Sequence, residues 1–277
     1  MLHRDLSLDD PLLAPYTRLK DRELAREGDR FIAEGRLVVE RLLASKFACE
    51  SVLVREQLAD ELSLKVPESI PVYVLGDRQI DQMVGYKFHN GALAVGVRRP
   101  SPTLDDVIHA AARLVIVAPD LNSTENLGAV IRIAAGFGAS ALVIGPNSCD
   151  PFYRQSLRVS MGAAFSLPIV RSSDVTNDLV RLRRDFDFDT LASVLRDDAI
   201  SLDQYTPGGR VAIVLGSEAH GLSEVQIDAC SHKLMIPMHL GTDSLNVSIA
   251  CAVFAWHVRH TAGTCQAVPR FDTAGIR

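Results

Sequence analysis

Leu234-Met-Ile-Pro-Met-His-Leu-Gly-Thr-Asp-Ser-Leu-Asn-Val-Ser-Ile-Ala-Cys-Ala-Val-Phe-Ala-Trp256 is the stretch on which the reading of this chain turns. The apolar run Leu234–Ile236 reads as a strand. Pro237 ends it, because proline has no N–H to give to a ladder. A polar loop containing Gly241 follows. Asp243 or Ser244 then caps a helix that continues to about His260. Such a bend leaves backbone amides and carbonyls free and turns a helix N-terminus toward them. That arrangement suits a small-molecule pocket.

The same alternation extends upstream. Leu114–Val117, Ala141–Ile144, Leu167–Val170, Thr190–Val194 and Val211–Leu215 are short apolar runs. Helical patterns lie between them, near 126–137, 152–158, 175–184 and 222–229. Continuously apolar strands alternating with amphipathic helices indicate a buried, mostly parallel α/β sheet. Residues 16–98 read differently, as a small mixed α/β unit. Its strands are expected at Phe31–Gly35, Ser51–Val54, Pro71–Leu75 and Ala92–Val97, with a helix from Arg36 to Ser45. Arg98-Arg-Pro-Ser-Pro-Thr103 is a stiff, extended connection. The expected organisation is a loose arm at 1–15, a first domain at 16–98 and a linker at 99–105. A second domain at 106–265 and a tail at 266–277 follow.

Composition narrows the function classes. The 277 residues, 47% of them apolar, are enough for two packed cores. A net charge of −5 argues against a uniformly basic nucleic-acid wrapper, so any RNA contact must come from local patches. The 5 cysteines are scattered, with no Cys-x-x-Cys pair, which fits reduced thiols and no metal site. The acidic N-terminus lacks the apolar core of a signal peptide. The run Val247–Trp256 is far short of the ~20 residues of a membrane span. A cytoplasmic protein without a membrane segment is expected.

Three motifs carry the chemistry. Asn126-Leu-Gly-Ala-Val-Ile-Arg132 follows the strand ending at Val117. Gly216-Ser-Glu218-Ala-His-Gly221-Leu follows the strand ending at Leu215, where open α/β sheets place ligands. Ile236-Pro-Met238 with Ser244-Leu-Asn-Val-Ser248 closes the set. In this order they resemble the three motifs of the SpoU branch of the SPOUT RNA methyltransferases. Phe31-Ile-Ala-Glu-Gly35, Val39-Glu40-Arg-Leu-Leu43 and Asn90-Gly91-Ala-Leu-Ala-Val95 resemble the small RNA-binding domain often fused ahead of such catalytic domains. That domain has a ribosomal-protein fold.

The resemblance implies a deep trefoil knot that holds S-adenosylmethionine, and transfer of its methyl group to a ribose 2′-hydroxyl in structured RNA. Ribosomal RNA is slightly favoured over transfer RNA. It implies catalytic roles for Asn126, Arg132, Glu218 and Asn246. Cofactor binding falls to Leu215, Gly216, Ile236, Met238, Ser244 and Leu245. Arg158-Val-Ser160-Met-Gly162-Ala resembles the family's Arg-x-Ser-x-Gly-Ala, which makes Arg154 and Arg158 candidates for RNA phosphate. The small-residue stripe Ser248, Ala252 and Ala255 implies helix packing in a homodimer. Two departures stand out: Ser123 and Thr124 replace a frequent Asp-Pro, and Ile133 replaces a frequent threonine.

Physical chemistry shapes these roles. A guanidinium has a pKa above ~12 and rarely gives up its proton. Arg132 is therefore expected to hold a phosphate and stabilise a developing alkoxide. Asn126 suits helix capping or contact with a phosphate or hydroxyl. Gly128 lets another backbone approach, and Gly216 lets the cofactor do so. Glu218 reads as a catalyst or, preferably, as a strut accepting backbone amides of a neighbouring loop. His220 reads as a solvent-facing turn residue. A nicotinamide-binding Rossmann enzyme lacks its fingerprint here, since Gly136-Phe-Gly138 ends a helix. A non-catalytic RNA-binding protein on the same fold is the stronger rival, and the complete Asn126, Arg132 and Ser244–Asn246 set argues against it.

Overall fold

The computed structural model describes residues 2–4, 6–17, 29–85, 87–88, 91–239 and 244–261. Two sheets organise them. The first has five strands: β1 (Leu2–His3), β2 (Arg30–Glu34), β3 (Cys49–Arg55), β4 (Val72–Leu75) and β5 (Ala92–Val97). Their order is β1-β4-β3-β5-β2, with parallel pairs at β1/β4 and β3/β4 and antiparallel pairs at β3/β5 and β2/β5. Helices α1 (Ala14–Thr17), α2 (Arg36–Leu43), α3 (Glu56–Ser63) and α4 (Asp77–Val84) accompany it. Neither α3 nor α4 was expected. Each is a short amphipathic helix of eight residues with few apolar positions, burying only Ala59 and Leu62, and Ile80, respectively.

The N-terminal arm is not loose. Leu2–His3 adds an edge strand to β4, and Leu13 and Tyr16 are fully buried. The Tyr16 hydroxyl lies 2.7 Å from Ser51 Oγ, and burial drives its pKa well up.

The second sheet has seven strands, all paired in parallel: β6 (Leu114–Ala118), β7 (Ala141–Ile144), β8 (Ile169–Arg171), β9 (Asp189–Ser193), β10 (Ile200–Ser201), β11 (Val211–Leu215) and β12 (His232–Met235). The order β10-β12-β9-β11-β6-β7-β8 puts the most apolar strands at the centre. β6 and β11 are buried at every position, as a sheet covered on both faces requires. Burying each such Val, Leu or Ile is worth about 1.5–3 kcal/mol. β8 starts two residues later than its apolar run, because Pro168 cannot donate. Its carbonyl accepts from Leu142 N at 3.0 Å.

Helices α5 (Leu104–Val107), α6 (Thr124–Gly136), α7 (Arg154–Val159), α8 (Val175–Arg184), α9 (Glu224–Ala229) and α10 (Val247–Thr261) complete the second half. Caps set their starts: Ser123 for α6, Asp174 for α8 and Ser223 with Gln226 for α9. Asn126 is thus not the cap of α6 but a residue of its first turn. For α10 the capping side chain is Asn246, which accepts from Ser248 N at 2.9 Å. Ser244 does not cap it. The alternative cap Asp243, the loop glycine Gly241, Asn90 of the first-domain motif and the tail 266–277 lie outside the described residues.

The linker is stitched down instead of free. Ser101 Oγ donates to Ile169 O (3.2 Å) and accepts from Arg171 N (2.9 Å), along the β8 edge. The two halves also share one apolar core. Phe31 and Phe47 of the first pack on Phe152 and Phe165 of the second, at ring separations of 5.2–6.1 Å within the group.

Candidate functional site

Because every strand of the second sheet runs the same way, all its carboxyl ends lie along one edge, and the three motif loops leave from there. β6 feeds the first, β11 the second and β12 the third. β11 neighbours β6, while β9 separates β11 from β12.

Three candidate residues, one from each motif, meet directly. Asn126 Nδ2 donates to Glu218 Oε1. Asn246 Nδ2 donates to the same oxygen at 3.2 Å and to Asn126 Oδ1 at 3.0 Å. Asn246 Oδ1 in turn accepts from Ser248 N and, at 2.6 Å, from Ser248 Oγ. The network closes: each amide both gives and accepts, and one carboxylate oxygen takes two donors. Glu218 accepts from side-chain amides of two other loops, not from the backbone amides that a strut role suggested. Sequence spacing fixes none of these contacts, which span 92, 120 and 28 positions.

Arg132 stands apart from this network. It is exposed, and no hydrogen bond or ion pair holds it among the described residues. Six positions after Asn126 on α6, it lies about 9 Å along the axis and about 120° around it. The helix face it occupies is set by packing on α7. Gln155 Nε2 donates to Glu125 Oε1 at 2.7 Å. A Cβ on Gly128 would fall 2.8 Å from Ser156 O and from Val159 Cβ. Gly128 therefore admits α7 at close range, as its lack of a side chain suggested.

Gly216 has a use within its own loop. A Cβ there would meet the Gly221 backbone at 2.6 Å, so this glycine lets its own loop fold back. Ser217 and Gly221 exchange two backbone bonds at 3.0 Å, and Gly221 takes φ +67°. His220 is exposed at the tip of that turn. Leu215 is buried at the end of β11, with Gly216 half-buried after it. Ile236 and Met238 follow β12 half-buried, Leu245 precedes α10 half-buried, and Ser244 is exposed. The loop leaving β9 at Val194 enters the same edge between them, with Leu195 exposed. No motif marked that loop; only strand order reveals it.

Arg154 and Arg158 of α7 both turn toward Glu34, the last residue of β2 in the first half. The separations are 3.4 Å and 3.8 Å, and the Glu34 side chain is 4% exposed. Arg154 is 25% exposed and Arg158 is 51%. Ser160 is fully buried, with its hydroxyl on Leu157 O, and serves packing. Among the described residues, no cluster of His, Cys, Asp or Glu could hold a metal, and no helix is long and apolar enough to cross a membrane.

Comparison with known proteins identifies the family. Residues 113–256 match the model of the SpoU rRNA Methylase family. A Mycobacterium tuberculosis protein named as an uncharacterized tRNA/rRNA methyltransferase is 34% identical over 263 residues, covering 92% of this chain and 90% of that one. The 23S rRNA (guanosine-2'-O-)-methyltransferase RlmB of Acinetobacter baylyi is 27% identical over 204 residues, covering 72% and 82%. The crystal structure of an AdoMet-bound rRNA methyltransferase from Sinorhizobium meliloti superposes with a TM-score of 0.80 at 22% identity, over 94% of this chain and 98% of that one. The chain belongs to the SpoU rRNA methylase family.

Proposed function

We propose that this protein transfers a methyl group from S-adenosylmethionine to the 2′-hydroxyl of a ribose in structured RNA, with ribosomal RNA the first substrate to test and transfer RNA the second. The observation that carries this reading is the meeting of Asn126, Glu218 and Asn246 at the carboxyl edge of a parallel sheet, with an unpartnered arginine on the same helix. The name of the Acinetobacter baylyi relative supports the choice of a ribose oxygen.

The residues at this edge suit the cofactor. Leu215, Ile236, Met238 and Leu245 offer apolar contact for an adenine, and the turns around them bring backbone groups close. Ser244 is assigned to the cofactor's polar end. When bound, S-adenosylmethionine supplies an electrophilic methyl group on a positively charged sulfur. The chain's part is alignment and charge. Asn126, Glu218 and Asn246 lock the three loops in register, so that acceptor and donor meet in line. Arg132 holds the phosphate beside the target ribose and stabilises the developing alkoxide as the hydroxyl passes its proton to solvent water, while the O–methyl bond forms and the sulfur–methyl bond breaks. Arg158 takes a neighbouring phosphate, while Arg154 serves mainly to tie α7 to Glu34.

The resemblance to knotted methyltransferases extends the proposal to the path of the chain. Leaving β12, the chain returns Asn246 beside the loops of β11 and β6 and continues as α10, which packs on α6 and β11. A trefoil knot is the proposed path. The protein is also proposed to act in the cytoplasm as a homodimer. Ile249 and Trp256, one heptad apart on α10, are 53% and 54% exposed and offer an apolar stripe for the second copy.

The test is incubation of the pure protein with methyl-labelled S-adenosylmethionine and separate pools of unmodified ribosomal and transfer RNA, followed by nucleoside analysis. Label in 2′-O-methylnucleosides of one pool is the expected result. Cofactor binding without label in any RNA would overturn the proposed reaction, and absence of cofactor binding would leave an RNA-binding protein.

A further inference from the structure

The turn that follows α7 lies at the junction of the two halves, and its backbone is unusual. Met161 takes φ +53° and Gly162 φ +78°, two successive left-handed residues. Arg41, on α2 of the first half, donates from Nη1 to Met161 O at 2.5 Å. Its Cβ packs against Gly162, where a Cβ would sit only 3.3 Å away. Arg41 is exposed, and only one of the five donors of its guanidinium is used by that carbonyl.

Helix register places Arg132 on the side of α6 that leads to the same turn. On α6, Glu125 and Gly128 contact Gln155, Ser156 and Val159 in ascending order, so the two helices run alongside each other. Arg132 is the next residue on that stripe, one turn beyond Gly128. It therefore lies over the segment where α7 ends, and α6 does pack on Ala163–Phe165. Arg158 closes α7 itself. Three arginines from three elements thus surround one turn.

Their charges are not neutralised as others nearby are. Arg36 is paired with Glu40 and Glu61, Lys65 with Glu40, and Arg98 with Asp150. Arg154 is the nearer of the two arginines on Glu34. By contrast, Arg41 and Arg132 meet no carboxylate among the described residues, and Arg158 shares Glu34 at 3.8 Å while half-exposed. On a chain of net charge −5, this is a local positive seam.

We propose that Arg41, Arg158 and Arg132 form one track for consecutive phosphates of a single-stranded RNA segment, leading from the first half across the junction to the transfer site. Guanidinium groups suit phosphate because they donate in pairs to its oxygens. The proposal rests on the methyl-transfer reading for what happens at Arg132. Arg41 adds a contact from outside the catalytic half, and it couples that contact to the strained turn.

The test measures binding of a fluorescent single-stranded RNA oligonucleotide of mixed sequence to the full chain across a salt series. The slope of log K against log salt should fall by roughly 0.7 in Arg41→Met and again by roughly 0.7 when Arg158→Met is added. Arg41→Lys should keep the slope. Thermal midpoint and cofactor affinity are read alongside. An unchanged slope in Arg41→Met would make Arg41 a clasp for the turn and overturn the proposal. If Arg41→Met does not fold, the half-exposed Arg158→Met still decides, because an unchanged slope there breaks the track. RNA binding with the expected slopes but no methyl transfer would retain the track and remove the catalytic reading. Methyl transfer with slopes indifferent to Arg41 and Arg158 would do the reverse.

Discussion

α6 carries two residues with opposite fates. Asn126, in its first turn, gives and accepts hydrogen bonds within a closed network that ties three loops together. Arg132, less than two turns later, touches no partner among the described residues. A polar group that spends its bonding capacity inside the protein contributes geometry. A charge held on a rigid helix and left without a partner is available to whatever arrives. The same contrast recurs at the junction, where Arg154 is largely consumed by Glu34 and Arg158 is half free.

The strongest test of that contrast is Arg132→Ala. Methyl transfer should fall by about 10²–10³-fold, the usual cost of removing one donor aimed at developing charge. Stability should move by less than about 0.5 kcal/mol, since the side chain is exposed and unpartnered. Calorimetry should find cofactor affinity nearly intact. Full transfer activity in this variant would break that division of labour and move the chemistry back toward the network.

Next in size is Gly128→Ala, which attacks the helix contact supporting both residues. Its Cβ would meet Ser156 O and Val159 Cβ at 2.8 Å. Helix propensity favours alanine by about 1 kcal/mol, but overpacking against backbone costs about 1–3 kcal/mol. A net loss of stability is expected, read as a lower midpoint in denaturant. A gain would mean that α7 yields, and that its arginines are not held in fixed positions.

Asn246→Ala should cost less, about 1 kcal/mol, through the lost cap and two lost bonds to exposed partners. Its larger effect should appear in cofactor affinity, because the loop before α10 loses its tie to Glu218. If affinity is unchanged while activity falls, Asn246 acts with Arg132 in the transfer and not in holding the loop.

How much of this was legible in the sequence follows from the range of the forces involved. Local rules found β6, β7 and β11 almost to the residue, because a strand buried on both faces is apolar without interruption. They missed Leu13 and Tyr16, whose burial depends on a sheet assembled from distant strands. Motif spacing nominated Asn126, Glu218 and Asn246, yet their mutual contacts follow from strand order, which no local pattern encodes. Arg154 and Arg158 were visible as charges. Their shared partner Glu34 lies more than a hundred residues earlier, on the other half, and only packing discloses it. Gly216 was recognised as a position needing no side chain, and its own loop also approaches it, a contact with no sequence signature.

The smallest expected effect concerns groups that have neither a polar network nor an exposed role. Burial pushes the Cys251 thiol up to about 12, and Cys230 and Cys49 up to about 12 and about 11. An unfolded thiol titrates near ~8.5. Below that pH both states are protonated, and the full stability is present. Above it the unfolded chain loses protons that the folded chain keeps, so stability declines as pH rises toward the folded values. Thermal midpoints measured from about pH 8 to 11 should therefore fall, and Cys251→Ala should flatten part of that fall while lowering the midpoint at neutral pH through lost packing. Tyr16, also raised by burial, sets a further decline above its ordinary range that this substitution leaves in place. Equal slopes in the two proteins would mean that water reaches Cys251. The packing of α10 beside the Asn246 cap would then be looser than the closed network requires.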